Sequence, residues 1–117
     1  MVTATVVKDP SGYVSFSCKG HAGFAARGKD IVCSAISVLT INAANSIMTL
    51  TDTKISVSEN DGFLSWKFDG KCDNKADLLM DSLLIGLRSL EEEYGKYLTL
   101  EIKEVSHDQV KPSVICS

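Results

Sequence analysis

Two residues have the types and the spacing for covalent chemistry: His21 and Cys33, twelve positions apart. A thiolate is a strong nucleophile, and a neutral imidazole can take its proton and later hand one to a leaving amine. His21 follows Gly20 where an alternating stretch ends. Cys33 sits in Asp30-Ile31-Val32-Cys33-Ser34-Ala35, where apolar residues begin to recur at helical spacing. Asp30 is expected to cap that helix, which makes Cys33 its third residue. A thiol there lies near unsatisfied N–H groups and the positive end of the macrodipole, which favour thiolate and can bind an oxyanion. Asp30 has three readings: helix cap, orienting partner of His21, or each in a different state. A capping carboxylate takes a donor that an oxyanion needs. Ser37 lies one turn beyond Cys33 on the same face, either bonding near the site or back to its own helix.

Each residue also has a plainer reading. A free cysteine is ordinarily a small buried hydrophobe, and a histidine beside a turn is ordinarily a surface residue. The rival chemical use is zinc, with Cys18, His21, Cys33 and Cys72 as ligands. Cys18 fits the dry face of a strand and no second close-spaced ligand pair is present, so neither a metal nor another cofactor is expected. His107 and Cys116 receive no role.

The elements that must position this pair follow from periodicity. Val2 to Lys8 is rich in Val and Thr and reads as a strand. Asp9-Pro10-Ser11-Gly12 is a turn. In Tyr13 to Lys19, Val14, Phe16 and Cys18 alternate with Ser15, Ser17 and Lys19, giving a hairpin with one dry and one wet face. Gly20 to Lys29 carries Gly20, Ala22, Gly23 and Gly28 and reads as a mobile substrate loop between the two chemical residues. The helix after Asp30 runs to about Leu50 on a stripe of Val32, Ile36, Leu39, Ala43, Ile47 and Leu50. Val38, Ile41 and Met48 add apolar surface elsewhere, so the helix is either deeply buried or shared with a second subunit.

Ile55 to Glu59 and Phe63 to Phe68 flank Asn60-Asp61-Gly62, a hairpin signal. Asp73 or Asn74 caps a second helix to Tyr94, with Leu79, Met80, Leu83, Leu87, Leu90 and Tyr94 as its stripe and Gly95 as its stop. Trp66 shares a face with Leu64 and Phe68, and Glu91 to Glu93 read as a solvated helix face. Leu98, Leu100 and Ile102 alternate in a last strand. The expectation is an α+β two-layer sandwich in ββαββαβ order, with two helices on one face of a mixed or largely antiparallel sheet. Residues 1–105 form a single domain and 106–117 a poorly ordered tail.

Composition narrows the function. The chain has 117 residues, 44% of them hydrophobic, and a net charge of -3, so a broad basic surface for direct nucleic-acid binding is not expected. No window is read as the roughly 20 apolar residues that cross a membrane. The start lacks a signal-peptide pattern, and the irregular cysteine spacing reads as reduced thiols in a cytoplasm.

At Gly20-His21-Ala22 and Asp30-Ile31-Val32-Cys33-Ser34-Ala35-Ile36-Ser37 the chain resembles the bacterial ribosomal-processing cysteine protease family, Prp. The likeness spans about Val2 to Ile102 and includes Leu90-Glu91-Glu92-Glu93-Tyr94. It implies a homodimeric Cys–His protease with a mobile loop between the two residues. It also implies a substrate: a large-subunit ribosomal protein whose short apolar N-terminal extension, ending in aromatic residues, is removed. By that resemblance His21 is the base and Cys33 the nucleophile, with Asp30 and Ser37 at motif positions. Position 34 is Ser where the family more often has Ala. The alternative from a different class is a non-catalytic ribosome-associated module that only grips a peptide.

Overall fold

The computed structural model describes residues 1–20, 27–60, 62–70 and 73–106, the side chains of 27–30 excepted. Among the described residues five strands and two helices occur in the order β1 (Val2–Asp9), β2 (Gly12–Lys19), α1 (Arg27–Leu50), β3 (Ile55–Asn60), β4 (Phe63–Phe68), α2 (Asn74–Tyr94) and β5 (Leu98–Glu104). The sheet order is β3-β4-β2-β1-β5. Only β1 and β5 run parallel; the other three pairings are antiparallel. The expected ββαββαβ sandwich with a mixed sheet is therefore the fold.

Alternation sets which side of the sheet is dry. Ala4, Val6, Phe16, Trp66, Phe68 and Leu98 are buried in one core with Val32, Ile36, Ile47, Met80 and Leu87 of the helices. Each fully buried large side chain of this kind contributes about 1.5–3 kcal/mol. Phe16 and Trp66 are cross-strand partners with ring centroids 4.5 Å apart. The opposite face carries the small polar set, in which Thr5 pairs with Ser17 and Ser17 with Ser65. The first turn is tied by Asp9, whose Oδ1 accepts from the Ser11 amide (2.8 Å) and hydroxyl (2.6 Å).

Asp73 is the cap of α2. Its Oδ1 accepts from the Ala76 amide at 2.7 Å and its Oδ2 from the Asp52 amide at 3.2 Å, while its own amide donates to the Thr53 hydroxyl at 2.9 Å. The start of α2 is thus bolted to the segment that leaves α1. Gly95 follows α2 in a right-handed conformation (φ -58), not the left-handed one its residue type suggested. A β-carbon there would stand 2.9 Å from the Glu91 carbonyl, so the tight exit is what favours glycine. Glu91 is not simply solvated: its carboxylate accepts from the Leu100 amide at 2.6 Å and from Arg88 at 2.7 Å, tying α2 to β5.

Helix α1 departs from expectation in three ways. It begins at Arg27, so Asp30 lies within its first turn and is not its cap. Thr40, not Leu39, takes the buried place between Ile36 and Ala43, and its hydroxyl donates to the Ile36 carbonyl at 2.8 Å. Leu50, placed on the core stripe, is 62% exposed in the last turn. Ile31–Leu50 also has a mean hydropathy of 1.7 over 20 residues, long and apolar enough by composition to cross a membrane, contrary to the sequence expectation. Its apolar residues divide instead between two faces. Val32, Ile36, Ala43, Ala44 and Ile47 enter the core, and Ile31, Val38, Ile41 and Met48 stay exposed.

Candidate active site

Cys33 is half-buried on α1 and packs against the edge of the core. It opens onto a cleft of about 590 Å³. Helix α1 forms one wall with Cys33, Ile36, Ser37, Thr40 and Ile41; the β3–β4 hairpin forms the other with Glu59, Asn60, Gly62, Phe63 and Leu64. Cys18 of β2 lies between them, and Val2 and Gly20 close one end. The space is sized for side chains of a peptide.

Gly20 is fixed from two sides. Its amide donates to the Gly62 carbonyl at 2.9 Å. Its φ is +137°, and a β-carbon would lie 2.3 Å from the Met1 carbonyl oxygen, so only glycine fits where β2 ends against the start of β1. His21, Ala22 and Gly23 lie outside the described residues, as does the side chain of Asp30. Gly28, expected in the loop, is in the first turn of α1.

The early start of α1 changes the electrostatic argument for Cys33. At 1.5 Å rise per residue the thiol's backbone is about 9 Å from the helix start. The unpaired N–H groups belong to the first turn only, and the macrodipole effect fades beyond it. Helix N-terminal amides are therefore not the oxyanion donors at Cys33. Ser37 lies exposed on the cleft wall beyond Cys33, and its carbonyl accepts from the Thr40 hydroxyl at 3.3 Å.

The two described thiols are both free and differ in environment. Burial, and then the nearby Cys33, push the Cys18 thiol up to about 11, which holds it protonated at neutral pH. Cys33 is the more exposed of the two and the one that faces the cleft from a helix. Among the described residues no group of three or more His, Cys, Asp or Glu is placed to hold a metal ion. Thr40 and the hairpin residues Glu59, Asn60, Phe63 and Leu64 were not singled out from sequence as parts of the site. The available signal was Glu59, a carboxylate standing in phase with Ile55 and Val57.

A partly exposed helical thiol at the wall of a peptide-sized cleft that Gly20 also lines is compatible with a thiol hydrolase. The chain belongs to the cysteine protease Prp family, whose model matches residues 1–99, and it is a cysteine protease. The ribosomal processing cysteine protease Prp of Bacillus subtilis is 29% identical over 101 residues, spanning 80% of this chain and 90% of that protein. The Staphylococcus aureus protein of the same name is 28% identical over 106 residues, spanning 88% and 100%. Among solved structures, SMU.848 of Streptococcus mutans superposes with a TM-score of 0.80 at 29% identity, covering 90% of this chain and 99% of that one. The S. aureus protease Prp, crystallised with a covalently linked product peptide, also gives 0.80, at 25% identity and with 88% and 100% covered.

Proposed function

We propose that this chain is an endopeptidase that removes the short N-terminal extension of a large-subunit ribosomal protein, with Cys33 as nucleophile and His21 as base. The observation that carries the reading is the placement of Cys33: on the helix wall of the cleft, beside a second thiol that burial keeps protonated. The relatives' names supply the substrate class, and the S. aureus protein's covalently linked product peptide supports a peptide in this cleft.

In this mechanism His21 takes the Cys33 proton and the thiolate attacks the scissile carbonyl. The tetrahedral intermediate collapses as His21 protonates the leaving amine, and water then hydrolyses the thioester. The peptide lies between α1 and the β3–β4 hairpin, its bulky apolar residues on Ile36, Ile41, Phe63 and Leu64. With the capping role removed, Asp30 is assigned to orient His21, and Ser37 to hydrogen-bond the peptide one turn beyond the nucleophile. The reaction is placed in the cytoplasm, with the enzyme as a homodimer. Support for the dimer is the exposed apolar surface of both helices, with Val38 69% and Ile85 70% exposed. The two helices leave a groove of about 520 Å³ along Ala35, Val38, Leu39 and Leu90.

The test is incubation with the N-terminal peptide of that ribosomal protein, followed by mass spectrometry. One new amine terminus is expected at a single bond. Cys33→Ala should abolish cleavage and leave the melting curve in place. Full activity in Cys33→Ala would refute the nucleophile, and an uncut peptide would refute the substrate.

A further inference from the structure

Two thiols share the cleft, and the proposed mechanism uses one of them. Cys18 and Cys33 both line it, stand fifteen positions apart in the chain and are free. Cys18 reaches the cleft from β2. Its register partner on β1 is Ala4, which is fully buried, so Cys18 stands on the helix-covered side of the sheet. On α1, Val32 and Ile36 bracket Cys33 and are buried in the same core as Cys18, and Cys33 itself packs against that core. The two groups are close enough to interact electrostatically: burial, and then Cys33, raise the Cys18 thiol. Filling space at the edge of a core is a task any small apolar side chain performs. It does not call for a second sulfur beside the first.

We propose that Cys18 is a resolving thiol, which closes a reversible disulfide with Cys33 once hydrogen peroxide has oxidised the nucleophile. The inference rests on the protease reading above, because it regulates that same site. In the first step the Cys33 sulfur attacks one peroxide oxygen. The O–O bond breaks, the sulfur is oxidised to sulfenic acid, and the other oxygen leaves as water with the thiol proton. In the second step the Cys18 sulfur attacks the sulfenic sulfur. The S–S bond forms, the S–O bond breaks, and the hydroxyl leaves as water with the Cys18 proton. A small thiol later reduces the bond by exchange, is itself oxidised to its disulfide, and returns both cysteines.

The surroundings of the two thiols fix the order of these steps. Cys33 is the more exposed and opens onto the cleft, so peroxide meets it first. Cys18 is buried and held protonated, which makes it slow towards peroxide from solution. Its reaction is with the neighbouring sulfur alone, where proximity replaces encounter. A disulfide requires Cα atoms about 4.4–6.8 Å apart. The bond therefore ties the α1 wall of the cleft to β2 and occupies the sulfur that a scissile carbonyl must reach. The covalent loop it closes contains His21 in its sequence. Cys33 is thereby kept from the irreversible sulfinic and sulfonic acids. A bond of this kind is transient in a reducing compartment, as disulfides there ordinarily are when they serve sensing.

The full chain is exposed to excess hydrogen peroxide, quenched with catalase, and divided. One half is digested with trypsin without reductant and mapped by mass spectrometry. The other is assayed on the ribosomal-protein peptide before and after dithiothreitol, each protein being compared with its own untreated sample. Cleavage after Lys19 and Lys29 separates the two cysteines. Peptides 9–19 and 30–54 should therefore appear joined, with the loss of two hydrogens. The parent should lose activity and regain it with dithiothreitol. Cys18→Ser should lose activity and stay inactive, its Cys33 recovered as sulfinic or sulfonic acid. Cys18→Ala, which buries no hydroxyl, should behave in the same way. The proposal is overturned if the parent yields oxidised Cys33 without the joined peptides, or joins Cys33 to Cys72 or Cys116 instead. It is equally overturned if the Cys18 variants recover as fully as the parent, or if the joined protein still cuts. Joined peptides in a protein that cuts nothing before treatment uphold the thiol pair and refute the protease reading.

Discussion

Substituting Gly20 by alanine tests how the site is anchored, and Gly70→Ala is its internal control. Both glycines have positive φ, +137° and +119°. An alanine at either position meets a backbone cost of about 1–2 kcal/mol. Their surroundings differ completely. At Gly70 an added β-carbon finds no atom within 4 Å, whereas at Gly20 it falls 2.3 Å from the Met1 carbonyl oxygen and 2.9 Å from the Val2 Cα. Those are backbone atoms and cannot swing aside, so the end of β2 or the start of β1 must move. The movement endangers the Gly20 amide bond to Gly62 at 2.9 Å and the Val2 amide bond to Tyr97 at 2.8 Å. A hydrogen bond of this kind is worth about 1 kcal/mol net. Gly20→Ala should then cost about 3–4 kcal/mol in total and Gly70→Ala about 1–2 kcal/mol. For a domain of this length the gap between them corresponds to a melting difference of roughly 5–10 °C. Urea unfolding of the two variants beside the parent measures it. Cleavage by Gly20→Ala should also fall, because His21 is the next residue. Equal destabilisation of the two variants would refute the close-approach argument.

Further expectations follow from single contacts. The Asp73 carboxyl is held below the ordinary range, chiefly by the Ala76 amide. Its stabilising effect is therefore present above the unfolded carboxylate range and lost as pH falls through the folded value. Asp73→Asn, which keeps an accepting oxygen, should flatten the acid limb of urea stability between neutral pH and pH about 3. Cys18 is raised to about 11 by burial, so the sign reverses. Its contribution is intact below the ordinary thiol value and lost as pH rises toward 11, and Cys18→Val should flatten alkaline unfolding. At pH about 8, iodoacetamide should label Cys33 before Cys18, as read by peptide mass mapping. Glu91→Ala removes the acceptor for the Leu100 amide and should cost about 1 kcal/mol by urea unfolding. Val38→Lys places a charge in the exposed apolar helix face, and sedimentation velocity should show the proposed dimer dissociating.

Much of the fold could be read in the chain because its alternations are clean. Ala4 and Val6, Phe16 and Cys18, and Trp66 and Phe68 each recur at period two, and their inward side is the buried one. Met80, Leu83 and Leu87 recur at helical spacing, and Asp73 caps its helix as its type and position suggest. The start of α1 was not legible. Asp30 has the character of a cap, but a helix starts where backbone hydrogen bonding first closes, and that occurs at Arg27. The shift of about one turn removed the helix-terminus argument for Cys33, since unpaired amides are confined to the first turn.

Sequence determined the pieces and one of the reactive groups: seven elements in order, a dry and a wet face for each strand, and a thiol on the first helix. Those properties are local, fixed by side-chain periodicity and turn chemistry within a few residues. Only the tertiary structure decided that β5 joins β1 in parallel, placing β4 beside β2 and β3 at the far edge. That order brings Glu59 and Phe63 opposite Cys33 across one cleft, with Cys18 between. Strand order is a long-range choice among pairings of similar local energy, so no run of residues carries it. The cleft exists because segments distant in sequence meet, and Glu59 became visible as part of its wall only when the register put it in line with Leu64 and Cys18.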